Sequence, residues 1–178
     1  MKKVKNVVVL LGDPKKPDHV KLGGIFNQED IEMVERLKEA LKIIDGYNFI
    51  YLDNHDCLFS DLIGLRDSGK VDYVFNLCDE GFNNDLKLEA FVPSELERVE
   101  ILYTGSGARC LEICYNKEIV RNIAKDLGIV VPKIFQFQEG ECCIFPIIVK
   151  PCEGDGGFGI TQKSVVKNKD ELESAILS

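Results

Sequence analysis

Basic residues are in deficit: 22 Lys and Arg stand against 30 Asp and Glu, a formal charge of −8. Such a chain repels phosphate backbones and anionic lipid, which argues against a nucleic-acid or membrane-surface role. Long apolar runs are absent too, so no segment reads as a membrane span. The opening "MKKVKNVVVLLGD" has a basic start, but its apolar run ends within six residues at Gly12 and Asp13. That is too short for a typical secretory core and fits a buried first strand. Histidine is scarce. With only His19 and His55, the seven cysteines lack partners for metal ligation, and their spacings match no zinc or redox motif. An odd cysteine count with no secretory segment points to reduced thiols and a cytoplasmic location. No Gly-Lys-Ser/Thr follows a glycine loop, and no glycine fingerprint opens a helix, so neither a Walker A loop nor a dinucleotide site is expected.

What is present is a strand–helix alternation. "VKNVVVLLGD" (4–13) reads as a strand buried on both faces. "QEDIEMVERLKEALKII" (28–44) places Ile31, Val34, Leu37, Leu41 and Ile44 at helical spacing. Strands are expected at 47–53, 71–81 and 100–107, with helices at 57–67, 86–99 and 108–127. Pro93 predicts a kink or two pieces within 86–99. This order is that of an open α/β sheet, with ligand sites beyond the strand C-termini at Gly12-Asp13, Asn76 to Gly81 and Thr104 to Gly107. After residue 128 the pattern changes to closely spaced strands at 129–138, 144–150 and 160–167, then a helix at 168–177. Asn168 and Glu171 form a capping-box pattern at the head of that helix. A domain boundary is therefore drawn there, giving 1–127 and 128–178. Three strands and one short helix are thin for an independent domain, so the second reads as incomplete.

Several residues could carry chemistry. Between two strands, "VKPCEGDGGFGI" holds Gly154, Gly156, Gly157 and Gly159. Bare amides of this kind can fold over phosphate oxygens, or simply make a surface hairpin. Lys150, delivered to the base of the loop, could meet phosphate as a point charge or stand in solvent. Lys117, by its position alone, is an ordinary helix residue. Asp79, Glu80 and Asp85 follow a strand end and could bind an ammonium or move a proton, or form a solvated acidic loop. Thr104 to Gly107 could cradle a carboxylate or serve as a turn.

"DYVFNLCDEG", "ILYTGSG", "NKEIVRNIAKDLGIVVPKIF" and "FPIIVKPCEGDGGFGI" occur in that order. Together they resemble the first half of a D-alanine–D-alanine ligase of the ATP-grasp superfamily, over roughly residues 4 to 177. The resemblance implies an N-terminal α/β domain that helps bind the first amino acid, followed by the first part of an ATP-clamping central domain. It implies ATP-dependent activation of a carboxylate as an acyl phosphate, attack by an amine, and a place in peptidoglycan biosynthesis. By this resemblance Lys117 and Lys150 hold ATP phosphates, and Glu153, Gly154, Asp155, Gly156, Gly157, Phe158 and Gly159 form the covering loop. Tyr103 to Ser106 match the family's Tyr-Thr-Gly-Ser turn, and Glu80 and Ser106 lie near the acceptor as the catalytic candidates. Magnesium ligands are expected in the C-terminal part of the family, outside this sequence. The family also implies an amino-acid substrate and a homodimer formed through the N-terminal domain.

Three departures concern amino-acid recognition. The family's loop serines are Gly156 and Gly157 here, its His-Gly after the third strand is Glu80-Gly81, and its early Glu-x-x-Val-Ser segment has no counterpart in "DPKKPDHVKLGG". With the magnesium-binding half beyond the sequence, the chain is expected to be inactive alone. The alternative is a non-catalytic nucleotide-binding or interaction module that pairs with a separately encoded C-terminal half. A small α/β enzyme of unrelated chemistry, with its site within Asp79 to Ser106, is the third reading.

Overall fold

The computed structural model describes residues 4–18, 21, 23–134, 144–154, 157 and 159–177. They fall into two compact units, Met1–Glu112 and Ile113–Ser178. The sequence places a boundary near 128; the chain from Ile113 onward instead clusters with the second unit.

The first unit is built on three parallel strands, β1 (Lys5–Leu10), β2 (Tyr47–Leu52) and β3 (Tyr73–Asn76), in the order β2-β1-β3. Val8 faces Ile50 on one side and Val74 on the other. Successive β1 side chains alternate between faces, and both faces are covered, which explains the unbroken apolar run. Val8 and Leu10 pack with Leu58 and Leu62 of α2 (Leu58–Asp67) and with Val92 and Leu96 of α3 (Phe91–Arg98). Val9 and Leu11 pack with Leu41, Val34 and Leu37 of α1 (Gln28–Lys42). Asn27 caps α1, accepting from the Glu29 and Asp30 amides, while the Asp30 carboxylate accepts from the Asn27 amide.

The segment 86–99 does divide in two. A 3₁₀ turn at Leu86–Leu88 precedes α3, and Pro93 sits in the first turn of α3, where its missing N–H has no intrahelical partner to lose. The expected fourth strand is reduced to one parallel bridge between Val74 and Tyr103, flanked by Val74 N–H to Leu102 O and Thr104 N–H to Val74 O bonds.

In the second unit, α4 (Ala108–Tyr115), which begins in the first, is followed by α5 (Lys117–Asp126). Two residues of each remaining strand pair antiparallel: β4 (Ile147–Ile148) with β5 (Val165–Val166). Residues 129–134 form no strand, and 135–143 lie outside the described residues. The stretch 160–164 is not extended either. The Thr161 hydroxyl accepts from the Lys163 amide and Ser164 closes back on Thr161, making a 3₁₀ turn at Gln162–Ser164. α6 (Lys169–Leu177) starts as expected, the Asn168 side chain accepting from the Glu171 amide at 2.9 Å. The Glu171 carboxylate returns to the Lys167 amide. Among the described residues no helix is long and apolar enough to cross a membrane.

Candidate functional site

In the first unit, three loops meet beyond the strand C-termini. Asp13, after β1, is buried; its carboxylate accepts from the His55 and Lys15 amides, both at 2.9 Å. Its own amide donates to Asn84 Oδ1 (2.9 Å), and its carbonyl accepts from Asn84 Nδ2 (2.7 Å). The His55 Nδ1 accepts from the Asn83 amide at 2.7 Å, so the ring proton is assigned to Nε2, which donates to the Leu11 carbonyl at 2.9 Å. His55 also stacks on Phe82. A buried polar network of this kind, with every member paired, fixes the loops after β1, β2 and β3 against one another. It also leaves His55 no base to offer the neighbouring Cys78, whose buried thiol is pushed up to about 12 by desolvation and is inert.

Gly81 is required by this arrangement. Its φ is +79°, and a Cβ there would lie 2.1 Å from the Asp85 carbonyl oxygen. Asp85 itself caps the next turn, its carboxylate accepting from the Lys87 amide at 3.0 Å.

Glu80 fits the candidate role better. Its side chain is largely buried, and desolvation, then the charge of and a hydrogen bond to Asp79, raise its pKa to about 6. The Lys21 ammonium opposes that rise from 3.2 Å, and the same ammonium reaches Asp30 at 3.2 Å and lies 4.4 Å from the Phe26 ring centroid. A carboxyl titrating near neutrality can both give and take a proton. It faces bare backbone: a Cβ at Gly12 would lie 2.7 Å from Glu80 Oε2 and 2.9 Å from Phe26 Cζ. Lys21 carries no periodicity or motif, and sequence reasoning missed it together with the Asp13–His55–Asn84 network.

Ser106 is exposed, in a turn held at both ends. Thr104 Oγ1 accepts from the Asn76 amide, and Glu97 accepts from the Tyr103 hydroxyl (2.6 Å) and the Ala108 amide (3.1 Å). Those two bonds, the hydroxyl first, hold the Glu97 pKa below its usual value, while burial pushes the Tyr103 phenol up to about 12. Among the described residues no hydrogen bond joins Ser106 to Glu80.

The second unit holds the other candidates. Asn116 caps α5, accepting from the Glu118 and Ile119 amides. It also forms an antiparallel bridge with Glu153. The Lys117 amide donates to Cys152 O (2.9 Å), the Gly154 amide to Tyr115 O (3.1 Å), and Lys117 Nζ to Gly154 O (2.5 Å). The head of α5 is thus stitched to the root of the glycine loop, bringing Lys117, Glu153 and Gly154 together. Gly157 and Gly159 follow with φ of +79° and +72°, and Lys150 is exposed two residues after β4. Asp155, Gly156 and Phe158 lie outside the described residues. An ammonium at the loop root and side-chain-free amides along the loop suit phosphate oxygens. Among the described residues no three His, Cys, Asp or Glu side chains converge.

No family model matches the chain. A D-alanine–D-alanine ligase of Thermotoga petrophila is 27% identical over 160 residues, which is 87% of this chain and 49% of that protein. The solved D-alanine–D-alanine ligase of Bacillus anthracis complexed with ATP superposes with a TM-score of 0.61 at 22% identity, over 97% of this chain and 54% of that one. The L-amino acid ligase of Bacillus licheniformis gives 0.52 at 18% identity, over 99% and 42%. The chain spans about half the length of the curated relatives it matches. At low identity and over part of their length, it is homologous to the D-alanine–D-alanine ligases and shares the α/β fold of their N-terminal lobe.

Proposed function

We propose that this chain supplies the amino-acid-binding domain and the phosphate-covering segment of an ATP-dependent carboxylate–amine ligase. In that reaction a carboxylate oxygen attacks the γ-phosphorus of ATP and ADP leaves. An amine then attacks the acyl phosphate carbon, releasing phosphate and forming an amide. The stitched contact between Lys117 and Gly154 carries the reading, because it sets an ammonium at the root of a glycine-rich segment. Lys117 and Lys150 neutralise phosphate oxygens, and the segment Glu153 to Gly159 folds over them and excludes water. Glu80, with a pKa of about 6, handles the proton of the attacking amine at the strand ends. Magnesium, where bound, would supply charge neutralisation at the phosphates, with ligands from outside this chain.

The homologues' names support an amino-acid-type substrate, and D-alanine–D-alanine ligation in peptidoglycan synthesis is its specific form. A homodimer through the first unit is the assembly proposed with it. The second reading is a non-catalytic nucleotide-binding module that pairs with a separate C-terminal half, favoured by the many exposed aliphatic side chains of the second unit.

Saturation-transfer NMR with ATP tests the proposal. Weak binding is expected, with a Kd on the order of 1 mM, at least tenfold weaker in Lys117→Met and Lys150→Ala. Binding indifferent to both lysines, or no transfer at about 10 mM ATP, removes the nucleotide assignment. Release of ADP on adding an amino acid, with the C-terminal half of a relative supplied in trans, separates the ligase reading from the binding module.

A further inference from the structure

Lys21 sits between two carboxylates from different elements. Its ammonium lies 3.2 Å from Glu80 Oε1, beyond β3, and 3.2 Å from Asp30 Oδ1, in the first turn of α1. The Phe26 ring is its third neighbour, with the centroid 4.4 Å away. The backbone of Lys21 is anchored on both sides. Its amide donates to the carboxylate of buried Asp18 at 3.3 Å, and its carbonyl accepts from the Gly24 amide at 3.0 Å. The Gly24 carbonyl in turn accepts from the Asp18 amide at 2.8 Å. Asp30 is fixed as well, because its other oxygen accepts from the Asn27 amide at 2.8 Å.

Charge decides what this arrangement does. Among the described residues, the titratable groups around Glu80 are Asp79 beside it, the neutral Cys78 thiol, Lys21 opposite it and Asp30 beyond Lys21. Burial and Asp79 both push Glu80 toward its neutral form, and Lys21 is the cation that opposes them. Desolvation works against the charge of Lys21 itself, and the contacts with Asp30 and Glu80 more than offset it, so its pKa lies above the usual lysine value. The ammonium therefore stays charged throughout the range in which Glu80 titrates. Divided between two carboxylates, it gives each less than a full counter-ion, and Asp30 sets how much of it is left for Glu80.

We infer that Lys21 is a positioning residue for Glu80: its ammonium, shared with Asp30 at the head of α1, anchors the Glu80 carboxyl and keeps it ionised near neutral pH. The consequence for catalysis rests on the proposed role of Glu80 in handling the amine proton, because only the ionised carboxyl accepts one. With a pKa of about 6, roughly nine-tenths of the carboxyl is ionised at pH 7. A midpoint one pH unit higher would leave about half.

Carbon-detected NMR of the full chain, labelled at the glutamate side-chain carboxyl carbons, follows the Glu80 titration directly, and Glu80→Gln assigns its resonance. Lys21→Met is expected to raise the Glu80 midpoint by about one pH unit, and Lys21→Arg, which keeps the charge, to return it to within about 0.3 of the starting value. Asp30→Asn keeps an oxygen for the Asn27 amide, and so keeps the cap. It is expected to lower the Glu80 midpoint by about 0.5, and to lose most of that effect when combined with Lys21→Met. A merely structural lysine would change the urea midpoint without moving the titration in opposite directions in the two variants. A Glu80 midpoint that stays or falls in Lys21→Met, one that stays or rises in Asp30→Asn, or an Asp30→Asn shift that is the same with and without Lys21 overturns the inference. Loss of the nucleotide assignment leaves these titrations unmoved, and titrations as expected in a chain whose Glu80→Gln variant still supports ligation would remove the catalytic role of Glu80 alone.

Discussion

The two units spend their aliphatic residues differently. In the first, Val7 to Leu11 run through the centre of a sheet with both faces covered, and Leu58, Leu62, Val74, Val92 and Leu96 are all essentially inaccessible. In the second, Val166 and Leu172 are the buried aliphatic side chains among the described residues. There α5 points Ile119, Val120 and Ile123 along a strongly amphipathic face, yet each remains about 40% exposed. Hydrophobic burial scales with area removed from water, so the first unit draws its stability from its core. The second is held by local devices: the Asn116 and Asn168 caps, the Thr161–Ser164 closure and the bridge at Glu153. Caps and turns contribute about 1 kcal/mol each, and the order they create is correspondingly local.

Matched truncations probe this contrast most strongly. Leu62→Ala should destabilise the first unit by roughly 2–5 kcal/mol in urea unfolding, the range for a buried leucine replaced by alanine. Ile123→Ala should cost under about 1 kcal/mol, as a partly solvated site loses little. Comparable costs at the two positions would erase the distinction between the units.

A smaller effect is specific to the first unit. The pKa of Glu80 in the folded chain is about 6, above its ordinary value. The folded state therefore holds this proton more tightly than the unfolded chain. The stabilisation is complete below the unfolded pKa, declines as pH rises from there, and is gone above about pH 6. Allowing for solvent screening, it amounts to about 1 kcal/mol. Urea midpoints of the first unit measured from pH 4 to pH 8 should fall across that window, and Glu80→Gln should flatten the fall. A rise with pH that Glu80→Gln removes would reverse the assigned sign.

The smallest effect belongs to the second unit. Removing the Lys117 ammonium should loosen the loop root without unfolding α5, since Asn116 still caps the helix. Lys117→Met is expected to speed hydrogen exchange at the Gly154 amide severalfold, a local cost below about 1 kcal/mol. Exchange unchanged at Gly154 would show that the backbone bonds at 152–154 suffice.

Much of the first unit was legible from pattern alone. The run 4–13 announced a doubly covered strand, and the spacing of Val34, Leu37 and Leu41 announced the face of α1 that meets it. The acid-rich turn after β3 and the glycine loop were visible as unusual local composition. The strands of the second unit were overread. Apolar runs such as "IFPIIVK" carry strand propensity, but strand length depends on the partner, and β4 and β5 share only two residue pairs. At 160–164 side-chain capping by Thr161 and Ser164 outcompeted extension. Lys21 and His55 were invisible for another reason. Their roles arise from contacts between loops distant in sequence, Lys21 to Glu80 and His55 to Asn83, which no periodicity encodes.

Gly12 stands at a crossroads. A methyl group placed there would press first on the tip of Glu80 and the rim of Phe26. Alanine at this position is thus a tuning peg: one carbon would push on a carboxyl on one flank and an aromatic wall on the other. A single added carbon at Gly12 would thus touch both flanks at once.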